Sequence, residues 1–138
     1  MSAWAGREVT ITSFGFLHGA APEGQHLTVD LRHHFRDPHH DASLRYATAE
    51  DDRVYQAVLG TAGISELVVD VARMVLAFLD GPVPGPVNVA LGCAGGRHRA
   101  AAVAIATAGV LRQQGVPVAV THRDMHRPVV GRPRQGVA

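Results

Sequence analysis

The chain has 138 residues, the size of one compact domain. Its 46% hydrophobic and 18% charged content excludes wholesale disorder, and a net charge of +1 argues against a wholly basic nucleic-acid binder while leaving local patches open. No apolar run approaches the roughly 20 residues that span a bilayer. Residues 1–7 lack the long apolar stretch of a signal peptide, so a cytoplasmic location without membrane association is expected. The single cysteine, Cys93, excludes an internal disulfide and a multi-thiolate zinc site. All 13 basic side chains counted as Lys or Arg are arginine, a bias that resembles G+C-rich coding more than a functional choice.

In chain order, residues 8–14 (EVTITSF) are rich in β-branched side chains and predict a strand, and residues 27–31 (LTVDL) predict a second. The loop between them carries Gly15, Gly19, Pro22 and Gly24. A polar stretch of histidine and arginine follows over residues 32–43. Thr48, with the acidic Asp51 three residues on, predicts the start of a short helix over about residues 50–59. Ile64, Leu67, Val68, Val71, Met74, Val75, Phe78 and Leu79 recur at helical spacing, which predicts an amphipathic helix whose stripe faces the core. The GPVPGP run at 81–86 ends it. Residues 87–91 predict a strand, 92–96 a tight loop, 97–114 an alanine-rich helix, and 116–121 a last strand.

The order β-β-α-α-β-α-β predicts an α/β fold, a small layered sandwich on a mostly parallel four-stranded sheet. Residues 87–121 predict one βαβ unit, which implies parallel neighbouring strands and a right-handed crossover. The domain is expected over residues 8–124, followed by a basic, flexible tail over 125–138. Ligands of such sheets bind beyond the carboxyl ends of the strands, which directs attention to the loops after Phe14, Leu31, Leu91 and Thr121.

The most informative of these loops is Gly92-Cys93-Ala94-Gly95-Gly96-Arg97-His98-Arg99. It joins a buried strand to a helix start, where unpaired amides and the helix dipole attract an anion. Two glycines allow the backbone to curl into a nest, and Arg99 offers a bidentate guanidinium to phosphate oxygens. The bland reading is a glycine-rich connection with a small buried cysteine. Cys93 and Arg99 also satisfy C-x5-R, the phosphate loop of cysteine-dependent phosphatases, which makes Cys93 a candidate nucleophile. Against it, Ala100 stands where those enzymes place a hydroxyl, and the general acid would have to be found among Asp30, Asp37 and Asp124.

Several further segments recur in order with that loop: Ile11-Thr12-Ser13-Phe14-Gly15-Phe16, Val29-Asp30-Leu31-Arg32, Asp37-Pro38-His39, Leu44-Arg45 with Thr48, and His122-Arg123. Together they resemble the C-terminal domain of the RapZ/YvcJ family of bacterial RNase adapter proteins, over about residues 9–124. The resemblance implies a domain like a phosphofructokinase subdomain that binds a phosphosugar, glucosamine 6-phosphate, and contacts a small RNA and a ribonuclease. Carried over by position, Cys93, Ala94, Gly95, Gly96, His98, Arg99 and His39 would form the ligand pocket. Arg97 lies within the same loop, and Asp30, Arg32, Arg45 and His122 also match family positions. Ala94 and Ala100 replace hydroxyl residues usual in the family, which removes two hydrogen bonds to a phosphate. The family's other domain carries a G-x-x-x-x-G-K-[ST] phosphate loop, and this sequence has none.

The segment Arg32 to Asp41 holds four histidines, but as adjacent pairs that do not ligate one ion together, so no metal and no other cofactor is expected. Near the C-terminus, Arg123, Arg127, Arg132 and Arg134 face one acid, Asp124, an arrangement able to meet RNA phosphates. The expected function is a regulatory sensor for a phosphorylated small molecule, a phosphosugar or a nucleotide, with a small RNA or a ribonuclease as macromolecular partner and a homo-oligomeric state. The competing class is a C-x5-R hydrolase.

Overall fold

The computed structural model describes Trp4 and residues 6–131. Four strands and three α-helices follow in the predicted order: β1 (Val9–Gly15), β2 (Leu27–Asp30), α1 (Asp52–Leu59), α2 (Ile64–Asp80), β3 (Val87–Cys93), α3 (Arg99–Gln113) and β4 (Val118–His122). Short 3-10 turns cover Phe16–His18 and Pro38–His40. The sheet order is β2-β3-β1-β4, and each pairing is parallel. β1 therefore lies inside the sheet, with Ile11 beside Val89 on one flank and Val120 on the other.

The crossovers from β2 to β3 and from β3 to β4 run in the same direction across the sheet. A right-handed path then places α1, α2 and α3 on one face, in keeping with α3 packing on β1, β3 and β4 and α2 packing on α3. The core lies between this helical layer and the sheet face that carries Val9, Ile11, Val87, Val89 and Leu91, each no more than 3% exposed. The other face presents Thr10, Thr12, Thr28, Asn88, Ala119 and Thr121, half-buried or exposed. At the carboxyl end of that face, Phe14 and Phe16 stack edge to face with centroids 4.7 Å apart over Gly92, where a Cβ would lie 2.4 Å from the Phe14 ring.

Local chemistry sets the element boundaries. The cap of α1 is Asp51, whose side chain accepts from the Arg53 amide, and not Thr48, whose hydroxyl serves the preceding turn by accepting from Glu50 N–H. Both residues offer an oxygen, and the carboxylate sits one residue before the helix. On α2, Ile64, Val68, Val71, Ala72 and Val75 are buried, whereas Met74 and Phe78 are each 45% exposed. The apolar stripe is wider than the face the core takes up. β3 runs two residues further than expected, through Gly92 and Cys93, because Phe14 and Gly15 continue its pairing.

Candidate functional site

The loop between β3 and α3 is set by close backbone contact. Gly96 has φ +83°, and a Cβ on it would lie 2.9 Å from both the Asp124 Cβ and the Gly15 nitrogen. A Cβ on Gly15 would lie within 2.7 Å of the Gly95 and Gly96 backbone. The end of β1 thus presses directly on the glycine pair, and at Gly15 and Gly96 a side chain does not fit. The Gly96 N–H donates to the Cys93 Sγ at 3.3 Å, and Cys93 is 2% exposed. Leu17 N–H donates to the Ala94 carbonyl at 3.0 Å.

At the start of α3, His98 occupies the N-cap and supplies no side-chain cap. Arg99, Ala100 and Ala101 follow at 2%, 0% and 0% exposure. Amides of a first helical turn have no intrahelical acceptor, and the helix dipole makes their end electropositive. Buried donors without a cap favour an acceptor brought from outside the helix.

The three polar side chains Arg97, His98 and Arg99 all turn toward backbone carbonyls. Arg97 donates to the carbonyls of Arg127, at 2.8 Å, and Tyr46. The His98 Nε2 lies 3.0 Å from the Leu44 oxygen and 2.9 Å from that of Ala47. Carbonyls only accept, so Nε2 carries the proton and donates to both. Arg99 NH1 donates to the carbonyls of Leu31 and Arg32 at 3.0 Å each and of Phe35 at 3.3 Å. Its NH2 pairs with the Asp37 carboxylate at 3.1 Å, both side chains being buried. Apart from the bond to Arg127, which lies after β4, these bonds hold the long connection between β2 and α1 against the loop.

His39 lies on that connection and is 7% exposed. Its amide donates to Asp37 Oδ1 at 3.0 Å, and its carbonyl accepts from Arg45 Nε at 2.8 Å. Arg99 and Asp37 therefore tie His39 and Arg45 to the start of α3. Asp30 and Arg32 form a pair of their own at 2.7 Å on the surface, with the Arg32 guanidinium 3.8 Å over the Phe16 ring. The hydrogen bond from Arg32 holds the Asp30 carboxyl below the usual carboxylate range.

After β4, Asp124 is fully buried. Its Oδ2 accepts from Gly15 N–H at 2.8 Å and from Arg123 Nε at 3.0 Å. Burial pushes its carboxyl up, but the Arg123 guanidinium and the Gly15 amide overcome this and leave it below the usual value. Arg123 also donates to the carbonyls of Ala20 and Gly19. His122 Nδ1 lies 2.6 Å from the buried Ser13 hydroxyl, and burial pulls its imidazole below the usual value against the pull of Glu50.

The sequence assigned Arg99 a grip on phosphate oxygens; its NH1 and NH2 grip protein carbonyls and Asp37 instead. It assigned Arg123 and Arg127 to RNA, yet Arg123 is engaged as above and Arg127 lies 3.6 Å from Asp124. Arg132 and Arg134 lie outside the described residues. The sequence offers Asp37 as a possible general acid within the Asp37-Pro38-His39 segment, and Asp124 as a possible general acid and as the acid facing Arg123 and Arg127. The structure pairs Asp124 with those two arginines, while the Asp37 pairing with Arg99 is not visible from the sequence. Among the described residues no three His, Cys, Asp or Glu side chains gather to hold a metal, and no helix is long and apolar enough to cross a membrane.

An all-parallel sheet whose carboxyl edge carries a glycine loop, a buried helix start and converging polar loops defines a small α/β domain of the kind that receives ligands at that edge. The family model of the RapZ C-terminal domain matches residues 7–126, and the chain belongs to that family. It is 35% identical over 120 residues to a "Nucleotide-binding protein" of Sphingopyxis alaskensis, covering 85% of this chain and 37% of that protein. For proteins of the same name from Thermobifida fusca and Clavibacter michiganensis subsp. michiganensis, identity is 33% and 36%, covering 85% and 89% of this chain. The chain spans 40% and 43% of those two relatives.

Proposed function

We propose that this chain is a cytoplasmic regulatory module that binds a phosphorylated small molecule, a phosphosugar or a nucleotide, where β3 meets α3. The observation that carries the reading is the start of α3, buried and without a side-chain cap. A phosphate there meets aligned amides and a favourable dipole, with Gly95 and Gly96 beside it and His39, His98 and Arg99 forming the wall. Arg45, Arg32, Asp30 and His122 stand further out as candidates for the rest of the ligand. The name shared by the relatives supports a phosphate-bearing ligand. Those proteins are more than twice as long as the matched part, and this sequence carries no lysine and no G-x-x-x-x-G-K-[ST] motif. A phosphosugar therefore stands ahead of a nucleoside triphosphate.

Hydrolysis through Cys93 has less support, since the thiol is buried and the arginine of the C-x5-R pattern faces the carbonyls of Leu31, Arg32 and Phe35 and the Asp37 carboxylate. A thermal-shift series with glucosamine 6-phosphate, glucose 6-phosphate, AMP and inorganic phosphate tests the reading. A ligand at about 100 times its Kd stabilises the folded state by about 2.7 kcal/mol, a readily measured rise in Tm. No rise with any of the four, together with unmoved amide signals at Arg99–Ala101, would overturn it. Phosphate release from p-nitrophenyl phosphate that vanishes in Cys93→Ser would replace it with the hydrolase.

A further inference from the structure

We propose that Asp37 is the positioning residue of this site: one carboxylate oxygen fixes the His39 turn and the other fixes the Arg99 guanidinium at the first residue of α3. The inference rests on the binding reading above and assigns a role to a residue which that reading leaves outside the pocket. His39 and Arg99 come from different elements, and a shared pocket needs something to hold them in one relation. Asp37 is 7% exposed and caps the Pro38–His40 turn, accepting from the His39 amide at 3.0 Å. Pro38 stands at the first position of that turn, where its fixed φ stiffens the backbone. The other oxygen, Oδ2, lies 3.1 Å from Arg99 NH2.

The same guanidinium sends NH1 to three carbonyls of residues 31–35. With both terminal nitrogens spent, the plane of the group is fixed. Arg99 Nε is left buried without a hydrogen-bond partner, at the helix end whose first amides also lack an acceptor inside the helix. A buried donor of a charged group without an acceptor is costly, and an oxyanion on the α3 amides would supply one. Asp37 thus acts through Arg99: it occupies NH2, holds the guanidinium in plane and leaves Nε–H as the donor for the ligand. This also separates Asp37 from the surface pair Asp30–Arg32, whose side chains are about two-fifths exposed.

The test uses inorganic phosphate as the probe, followed by 15N NMR on the whole chain. In the wild type, phosphate is expected to move the Arg99–Ala101 amide signals and the Arg99 Nε–H signal together. Asp37→Asn keeps an oxygen for the His39 amide but cannot accept from both His39 and Arg99. It is expected to weaken phosphate binding at least about tenfold, a change of about 1.4 kcal/mol, at a temperature where its amide spectrum shows it folded. Asp37→Ala is expected to weaken binding further. Amides that respond while the Nε–H signal stays still would overturn this proposal and leave the binding reading intact, as would wild-type affinity in folded Asp37→Asn. Silence of both signals in the wild type would overturn the binding reading and this proposal with it. Should Asp37→Asn not fold, the wild-type Nε–H response alone decides.

Discussion

Arg99 shows how a residue chosen for charge ends up serving geometry. Its side chain is buried, and removing it would take a guanidinium from the Asp37 carboxylate and a shared donor from three carbonyls. Breaking a buried pair by deleting one partner typically costs about 3–5 kcal/mol. Arg99→Ala is therefore expected to lower the unfolding free energy measured in urea by that order, and a change under about 1 kcal/mol would contradict the assigned bonds. The sequence could not announce this, because the acceptors are main-chain oxygens, and every residue from 31 to 47 has one. Asp124 gives a second residue-scale expectation. Its carboxyl sits below the usual 3.8 in the folded chain, so its contribution is complete above that value and is lost as pH falls through the lower folded value. Acid unfolding followed between pH 5 and 2 should show a limb that shrinks in Asp124→Asn. His122, also lowered from 6.5, favours the neutral folded form, so stability should fall as pH drops below about 6.5 and flatten once the folded imidazole is protonated.

Among the elements, local signals were strong where one pattern dominated. The α2 repeat, the GPVPGP stop and the β-branched strands are each legible without knowledge of their neighbours. Ends were less so: the third helix begins at Arg99 and not at Arg97, since the two preceding residues are drawn out by Tyr46, Leu44 and Ala47 from elsewhere in the chain. Glycines test the same distinction. Gly109 lies inside α3 and a Cβ on it meets nothing within 4 Å. Gly109→Ala should therefore stabilise by about 0.5–1 kcal/mol, the cost of glycine in a helix. Gly96→Ala should do the reverse, by about 1–3 kcal/mol, through its positive φ and the contacts at 2.9 Å. Chemical denaturation of both variants checks the pair, and equal effects would show that the loop yields more than its contacts suggest.

For the whole molecule, the helices on one face and the polar threonines on the other make two layers, and the site lies at the edge where both end. The α/β class and the parallel strands were legible from the order of elements, but β3 and β4, expected as neighbours, are not adjacent. The place of β1 between β3 and β4 was not legible, because a sequence order fixes which strands exist but not which are neighbours. The glycine loop lies at that edge, pressed against the ends of β1 and β4. What the chain could not show was the inward turn of Arg97, His98 and Arg99, a property of tertiary folding alone. Residues 128–131 hold no helix or strand. Removing residues 128–138 is expected to leave the Tm unchanged, and a marked fall would assign that segment to the packed domain.

The place of β1 also bears on how the protein is made. Among the described strands it is synthesised first, yet its partners are Val87–Cys93 on one side and Val118–His122 on the other, and the Gly15 amide finds its acceptor at Asp124. While this domain is being synthesised, β1 waits for β3 on one flank and for β4, later still, on the other. Unpaired strand edges invite association with other chains. Ribosome-bound chains ending near residue 115 should accordingly bind a chaperone holdase or sediment as aggregates, and chains extended past residue 127 should be released compact and resistant to protease.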